Sequence, residues 1–279
     1  MPTEEVQPRP PHKLPRIPVA LSTSSVYPMG VAEGFSIAED LGYDGMEVMV
    51  THRGESQQAS TLNELSWRFG LPVMAIHAPT LLLTQQVWGS AWDKLKRSAA
   101  LAHEVGAGVV VAHPPFRWQV GYAEGFAEGI KDLEEETGVL FAVENMYPWR
   151  AGGREATMYL PHWDPVDQPY PHVTWDFSHA ATAEADSLEA VEALGQRLRH
   201  VHLTDGWSNG FKDDHLIPGQ GEQRVAEAME MLGRTDFAET GFNGVVAVEV
   251  ATRTARNVGD RERWLAESLA FARRHLGQE

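Results

Sequence analysis

The strongest constraint on this chain is a rhythm. Eight short runs rich in Val, Ile and Ala alternate with longer stretches of helical period, the pattern of repeated βα units around a parallel sheet. The runs are IPVALS (17–22), GMEVMV (45–50), PVMAIH (72–77), GVVVAH (108–113), VLFAVE (139–144), VTWD (173–176), RHVHL (199–203) and VVAVEV (245–250). The segments between them carry apolar stripes suited to the outside of a closed sheet. One places Trp92, Leu95, Ala99 and Ala102 on a single face, and the last places Leu265, Leu269, Ala272 and Leu276 on another. Gly-Tyr-Asp-Gly before the second run and Gly-Phe-Asn-Gly before the eighth are a faint internal echo.

Eight βα units in 279 residues predict an α/β fold, a (β/α)8 TIM barrel forming a single domain over residues 17–279. Residues 1–16, with five prolines and no apolar core of signal-peptide length, are expected to be a flexible N-terminal arm. No stretch is apolar and long enough to span a bilayer, so a soluble, cytoplasmic protein without membrane partners is expected, and a homo-oligomer is compatible with the sequence. The formal charge of −16 works against holding a polyanion over a wide surface, so DNA is not the expected partner. The chain contains no cysteine. Any metal must therefore be held by histidine and carboxylate.

In such a barrel the chemistry sits where strands end and βα loops begin. The third run ends at His77, the fourth at His113, the fifth at Glu144 and the sixth at Asp176, while His202 and Glu249 stand near the ends of the seventh and eighth. A lone strand-end histidine is more often a satisfied polar residue than a ligand. Six such side chains on one rim point to a cation, because converging carboxylates repel one another unless positive charge compensates them. His179 follows Asp176 in the next loop, and Asp213 and His215 alternate in the segment KDDHLIPGQGE. The irregular stretch between the fifth and sixth runs reads equally as a lid, offering Arg150 or Arg154 to an anionic substrate, or as a covering loop that buries its tryptophans. His200 is expected to pack below the site and His172 to lie at the opposite end of the barrel. His12, His52, His103 and His275 are assigned structural or surface roles.

Taken in order, IHAP at His77, VAHP at His113, VEN at Glu144, DFSH at Asp176 and His179, HVHLTD at His202, KDDH at Asp213 and His215, PGQGE, and VEV at Glu249 resemble the xylose-isomerase-like TIM barrels, which include endonuclease IV and many sugar isomerases and epimerases. The resemblance to endonuclease IV implies three metal positions: His77, His113 and Glu144; Glu144, Asp176, His202 and Glu249; and His179, Asp213 and His215. The resemblance to the isomerases implies metal only at the second group, with Glu144 and Glu249 also moving protons and His179 near the substrate. The implied cofactor is a divalent metal, zinc or manganese first, in one to three ions. The leading expectation is an isomerase or epimerase acting on a small polyhydroxy or phosphorylated substrate through a metal-stabilised enediolate. A trinuclear phosphodiester hydrolase is the alternative, and a non-catalytic sugar- or metal-binding barrel is the third.

Overall fold

The computed structural model describes residues 15–80, 86–151, 154–208 and 212–278. Most of the expected N-terminal arm lies outside them. Eight parallel strands close on themselves: β1 (Val19–Ser22), β2 (Gly45–Met49), β3 (Val73–His77), β4 (Val109–Ala112), β5 (Leu140–Glu144), β8 (His172–Asp176), β9 (Leu198–Leu203) and β10 (Val245–Val248). All eight predicted runs are therefore barrel strands. The hairpin β6 (Trp149–Ala151) and β7 (Arg154–Ala156) stands apart as a two-stranded sheet within the irregular stretch.

Alternation along each strand divides its residues between the barrel interior and the layer under the helices. Outward-facing Leu21, Val48, Ile76, Val110, Phe141, Val143 and Val201 belong to one continuous core beneath the helices. Each such fully buried large side chain contributes about 1.5–3 kcal/mol. The interior holds smaller clusters, Ala20 with Met74 and Ala247, and Ala75 with Val109 and Ala142. Ala75, Ala142 and Ala247 each precede a rim residue by two positions, namely His77, Glu144 and Glu249. A layer of methyl groups thus lies just below the rim and leaves room for polar side chains among them.

The helices start and stop where local chemistry dictates. In α3 (Ala91–Val105), Ser90 and Asp93 form a reciprocal capping box, and Gly106 ends the helix at φ 77°, a left-handed position that glycine adopts without a Cβ clash. Its buried face contains Leu95, Ala99 and Ala102, as its period predicts. The final helix, α9 (Val258–His275), is capped by Asn257, which accepts from the Asp260 amide, and buries Leu265, Leu269 and Ala272. Among the described residues no helix is long and apolar enough to cross a membrane.

Candidate metal centre

Glu144 ends β5, Asp176 ends β8, His202 lies one residue before the end of β9, and Glu249 follows β10 directly. Four separate strands bring them together: one ligand atom from each lies within 4.8 Å of the others. His202 Nδ1 stands at the middle, 3.0 Å from Glu144 Oε1, 2.9 Å from Glu249 Oε2 and 3.5 Å from Asp176 Oδ2. All four residues are buried. Asp176 Oδ2 and Glu144 Oε2 have no donor in hydrogen-bonding geometry, an expensive state for buried carboxylate oxygens. Three carboxylates and an imidazole nitrogen converging in this way fit a divalent cation.

Neighbouring side chains aim these ligands. Asn145 accepts from the Asp176 amide at 2.6 Å and donates to the Asp176 carbonyl at 2.9 Å, locking the end of β8 to that of β5. Asp176 Oδ1 caps α6 (Phe177–Ala183) by accepting from the His179 amide at 2.7 Å, which leaves Oδ2 for the centre. Ser24, in the turn after β1, donates to Glu249 Oε1 at 2.6 Å.

The other residues named from sequence flank this group on two sides. His77 Nε2 and His113 Nε2 lie 3.3 Å and 2.9 Å from Glu144 Oε2. On the other side Asp213 Oδ2 lies 3.3 Å from His179 Nε2 and 2.9 Å from His215 Nε2. Both rings turn Nδ1 toward a backbone carbonyl, that of Asn145 for His179 and that of Glu249 for His215, each at 2.8 Å. The loop carrying Asp213 and His215 is held by Asp205, whose carboxylate accepts from the amides of Gly206, Gly219, Gly221 and Gln223. A Cβ at Gly221 would collide with the Gly206 carbonyl and the Asp205 carboxylate, so glycine is required there.

Burial opposes every charge in this cluster, yet mutual attraction wins at most positions. The Glu249, Glu47 and Glu144 carboxylates lift His202 well above the usual imidazole range, Asp176 and Asp213 do the same for His179, and Asp213 raises His215 to about 10. In return His202 and His113 hold Glu144 well below the carboxylate range, and His202 lowers Glu249 to about 2. His77 and His113 diverge although both face Glu144. The Glu144 carboxylate raises His77 against its burial, whereas burial prevails at His113 and lowers it, helped by repulsion from His77. One carboxylate does not support two cations whose rings lie 5.0 Å apart.

The two arginines are not brought into the cluster. Arg150 binds Glu155, Glu184 and the Thr182 carbonyl, tying the hairpin to α6, and Arg154 is exposed on the same hairpin. The irregular stretch packs Met146 and Tyr159 against Phe116 but leaves Trp149 exposed, so it covers the barrel without burying all of its tryptophans. Tyr147 from this stretch lies with its ring 5.2 Å from that of His179. His172 sits at the start of β8, 2.7 Å from Glu134, away from the rim as expected. Sequence reasoning missed Glu47, fully buried on β2, whose Oε2 lies 3.0 Å from His200 Nε2 and 3.2 Å from His202 Nε2. A signal was present: a glutamate inside GMEVMV, a run apolar enough to be buried on both faces, requires a partner.

Beside the cluster a cleft of about 440 Å³ is lined by Ser24, Met49, Arg53, Asp213, His215, Glu249 and Arg253, among others, a size suited to a small molecule. An uncharacterized protein of Mycobacterium tuberculosis is 44% identical over 282 residues, covering 94% of this chain and 99% of its own. Fructoselysine 3-epimerase of Escherichia coli O157:H7 is 23% identical over 243 residues, covering 80% of this chain and 86% of its own. The solved structure of the IOLI protein with a zinc atom superposes with a TM-score of 0.66 at 16% identity, over 94% of this chain and 99% of its own. Residues 35–275 match the family described as xylose isomerase-like TIM barrel, and the chain belongs to that family.

Proposed function

We propose that the protein is a divalent-metal-dependent isomerase or epimerase of a small polyhydroxy carbonyl compound, free or phosphorylated. The observation that carries this reading is the group Glu144, Asp176, His202 and Glu249, gathered within 4.8 Å and bordering the cleft through Glu249. The epimerase relative and the zinc-containing neighbour support it. Glu144, Asp176, His202 and Glu249 would hold a zinc or manganese ion, which would supply positive charge to substrate oxygens and so make an adjacent C–H more acidic. Glu144 and Glu249 come from strands separated by β8 and β9, and in this reading they serve opposite faces of the reacting carbon. Epimerisation needs this arrangement, since one carboxylate removes the proton and the other returns it to the opposite face. In this reading His179 and Asp213, 3.3 Å apart, hold a substrate hydroxyl.

A second reading rests on the flanking groups. His77 and His113 beside Glu144, and His179, Asp213 and His215, could complete a trinuclear centre for phosphodiester hydrolysis. Elemental analysis of metal per chain, with solvent-deuterium exchange into a panel of ketoses and ketose phosphates, separates the two. One ion per chain with metal-dependent C–H exchange is the expected result. Three ions with phosphodiester cleavage and no exchange would replace the isomerase reading with the hydrolase.

A further inference from the structure

We propose that Glu47, braced by His200, is a positioning residue that fixes the tautomer and orientation of His202, so that Nδ1 of His202 is the atom offered to the cation. This rests on reading Glu144, Asp176, His202 and Glu249 as the metal centre.

Met46 and Val48 belong to the core beneath the helices, so alternation along β2 turns Glu47 into the barrel, where it pairs opposite Ala75 of β3. Glu47 emerges into the alanine-lined layer below the rim, 0% exposed, as are His200 and His202. There its Oε2 accepts from His202 Nε2 at 3.2 Å. An imidazole nitrogen facing a carboxylate must carry a hydrogen, so in the neutral ring the lone pair resides on Nδ1. That lone pair points at oxygens of Glu249, Glu144 and Asp176, 2.9 Å, 3.0 Å and 3.5 Å away. Lone pair against anionic oxygen is repulsive unless a proton or a cation lies between them. Glu47 therefore presents His202 as a metal ligand through one defined nitrogen.

The ring is also clamped mechanically. His77 stacks on it with centroids 5.6 Å apart and planes within 2°, and His200 meets it edge-on at 5.0 Å and 88°. His200 Nε2 also lies 3.0 Å from Glu47 Oε2, so both histidines converge on one carboxylate oxygen. Glu47 does not line the cleft and has no route to substrate. Its influence passes through His202, in the way a carboxylate behind a ligating histidine sets ring orientation and basicity.

The test uses the full chain with Co²⁺ as the probe, followed by calorimetry and by the visible absorption bands of the bound ion. Thermal melting of the metal-free proteins reports folding. Glu47→Gln and Glu47→Leu are expected to weaken Co²⁺ binding by about 10-fold to 100-fold and to shift the visible bands, with Leu, which lacks an acceptor, the more severe. Should Glu47→Leu not fold, Glu47→Gln decides. Binding within about twofold of wild type with unchanged bands overturns the proposal. Anomalous scattering that places the ion among Glu47, His200 and His202 also overturns it, since Glu47 would then be a ligand. Wild-type protein that binds no Co²⁺ at the four-residue group refutes the metal-centre reading itself, a result distinct from equal binding by wild type and variants.

Discussion

Two clusters of histidine and carboxylate share the rim and differ in how they are held. Glu144, Asp176, His202 and Glu249 come from strand ends or the residue beside one, are buried, and include carboxylate oxygens with no hydrogen-bond donor. His179, Asp213 and His215 come from a short helix and a loop. Asp213 is served there by Ser178 at 2.6 Å and by both imidazoles, and each imidazole also engages a backbone carbonyl. The strand-end group sets a single imidazole, His202, against three carboxylates, so its negative charge exceeds what that ring can offset. The loop group is already satisfied by protons, so it can hold a substrate oxygen or a more weakly bound ion. The same residue types thus support different expectations, decided by whether the protein completes their hydrogen bonding.

The largest expected effect breaks the strand-end group. Glu249→Gln keeps the shape of the side chain but removes the proton acceptor, and turnover on any ketose that exchanges its C–H with solvent should fall by about 10²–10⁴. Unchanged exchange in this variant would remove Glu249 from the proton-transfer role.

Next in size is the contrast in metal affinity. His202→Ala should weaken binding of the first ion by more than about 100-fold, beyond what a supporting residue causes. Asp213→Asn should change it by less than about threefold. Comparable losses in both variants, read by calorimetry, would mean that the two clusters form one centre.

This contrast was only partly legible in the sequence. The eight strands and the residues at their ends were readable because a parallel barrel strand is a short apolar run, and a charged or imidazole side chain at its end breaks that pattern visibly. Glu47 is hidden because its strand ends on apolar residues, and its imidazole partner His202 lies 155 positions along the chain, brought to it only by closure of the barrel. Ser24 and Asn145 were equally hidden: short polar residues after a strand are common, and only the closed barrel brings Ser24 to Glu249 or Asn145 to Asp176. Asp205 was quoted within HLTD, yet its contacts reach residues up to 18 positions away. Arg150 was readable as a cation but not as a tether, since its partner Glu184 lies 34 positions along the chain.

A smaller effect sharpens the comparison from the loop side. Asp205→Ala leaves the amides of Gly206, Gly219, Gly221 and Gln223 without their carboxylate. The cost should be on the order of 3 kcal/mol, a fall in Tm of roughly 5–10 °C for a chain of this size. First-ion affinity should hold, because this loop meets Glu249 at its backbone carbonyl, through His215, whereas the Glu249 carboxylate accepts from Ser24.

The smallest effect concerns protons, and its sign follows from the direction of the shifts. In the metal-free protein His202 and His179 lie well above the ordinary imidazole value of 6.5, and His215 is near 10. Their contribution to stability is complete below about pH 6.5 and disappears as pH rises through the folded-state values. Glu144 and Asp213 lie well below the ordinary carboxylate range, and Glu249 is near 2. Their contribution is complete above about pH 4.5 and disappears as pH falls through those values. Metal-free protein should therefore melt highest between about pH 4.5 and 6.5. A cation at the strand-end group replaces the proton on His202 Nδ1, so binding should release a proton and tighten as pH rises from about 6 to 9. Calorimetry in buffers of different ionisation heat measures that release directly. Binding without proton release would show that His202 is already neutral in the free protein, and that the proton now assigned to Nδ1 resides elsewhere in the cluster.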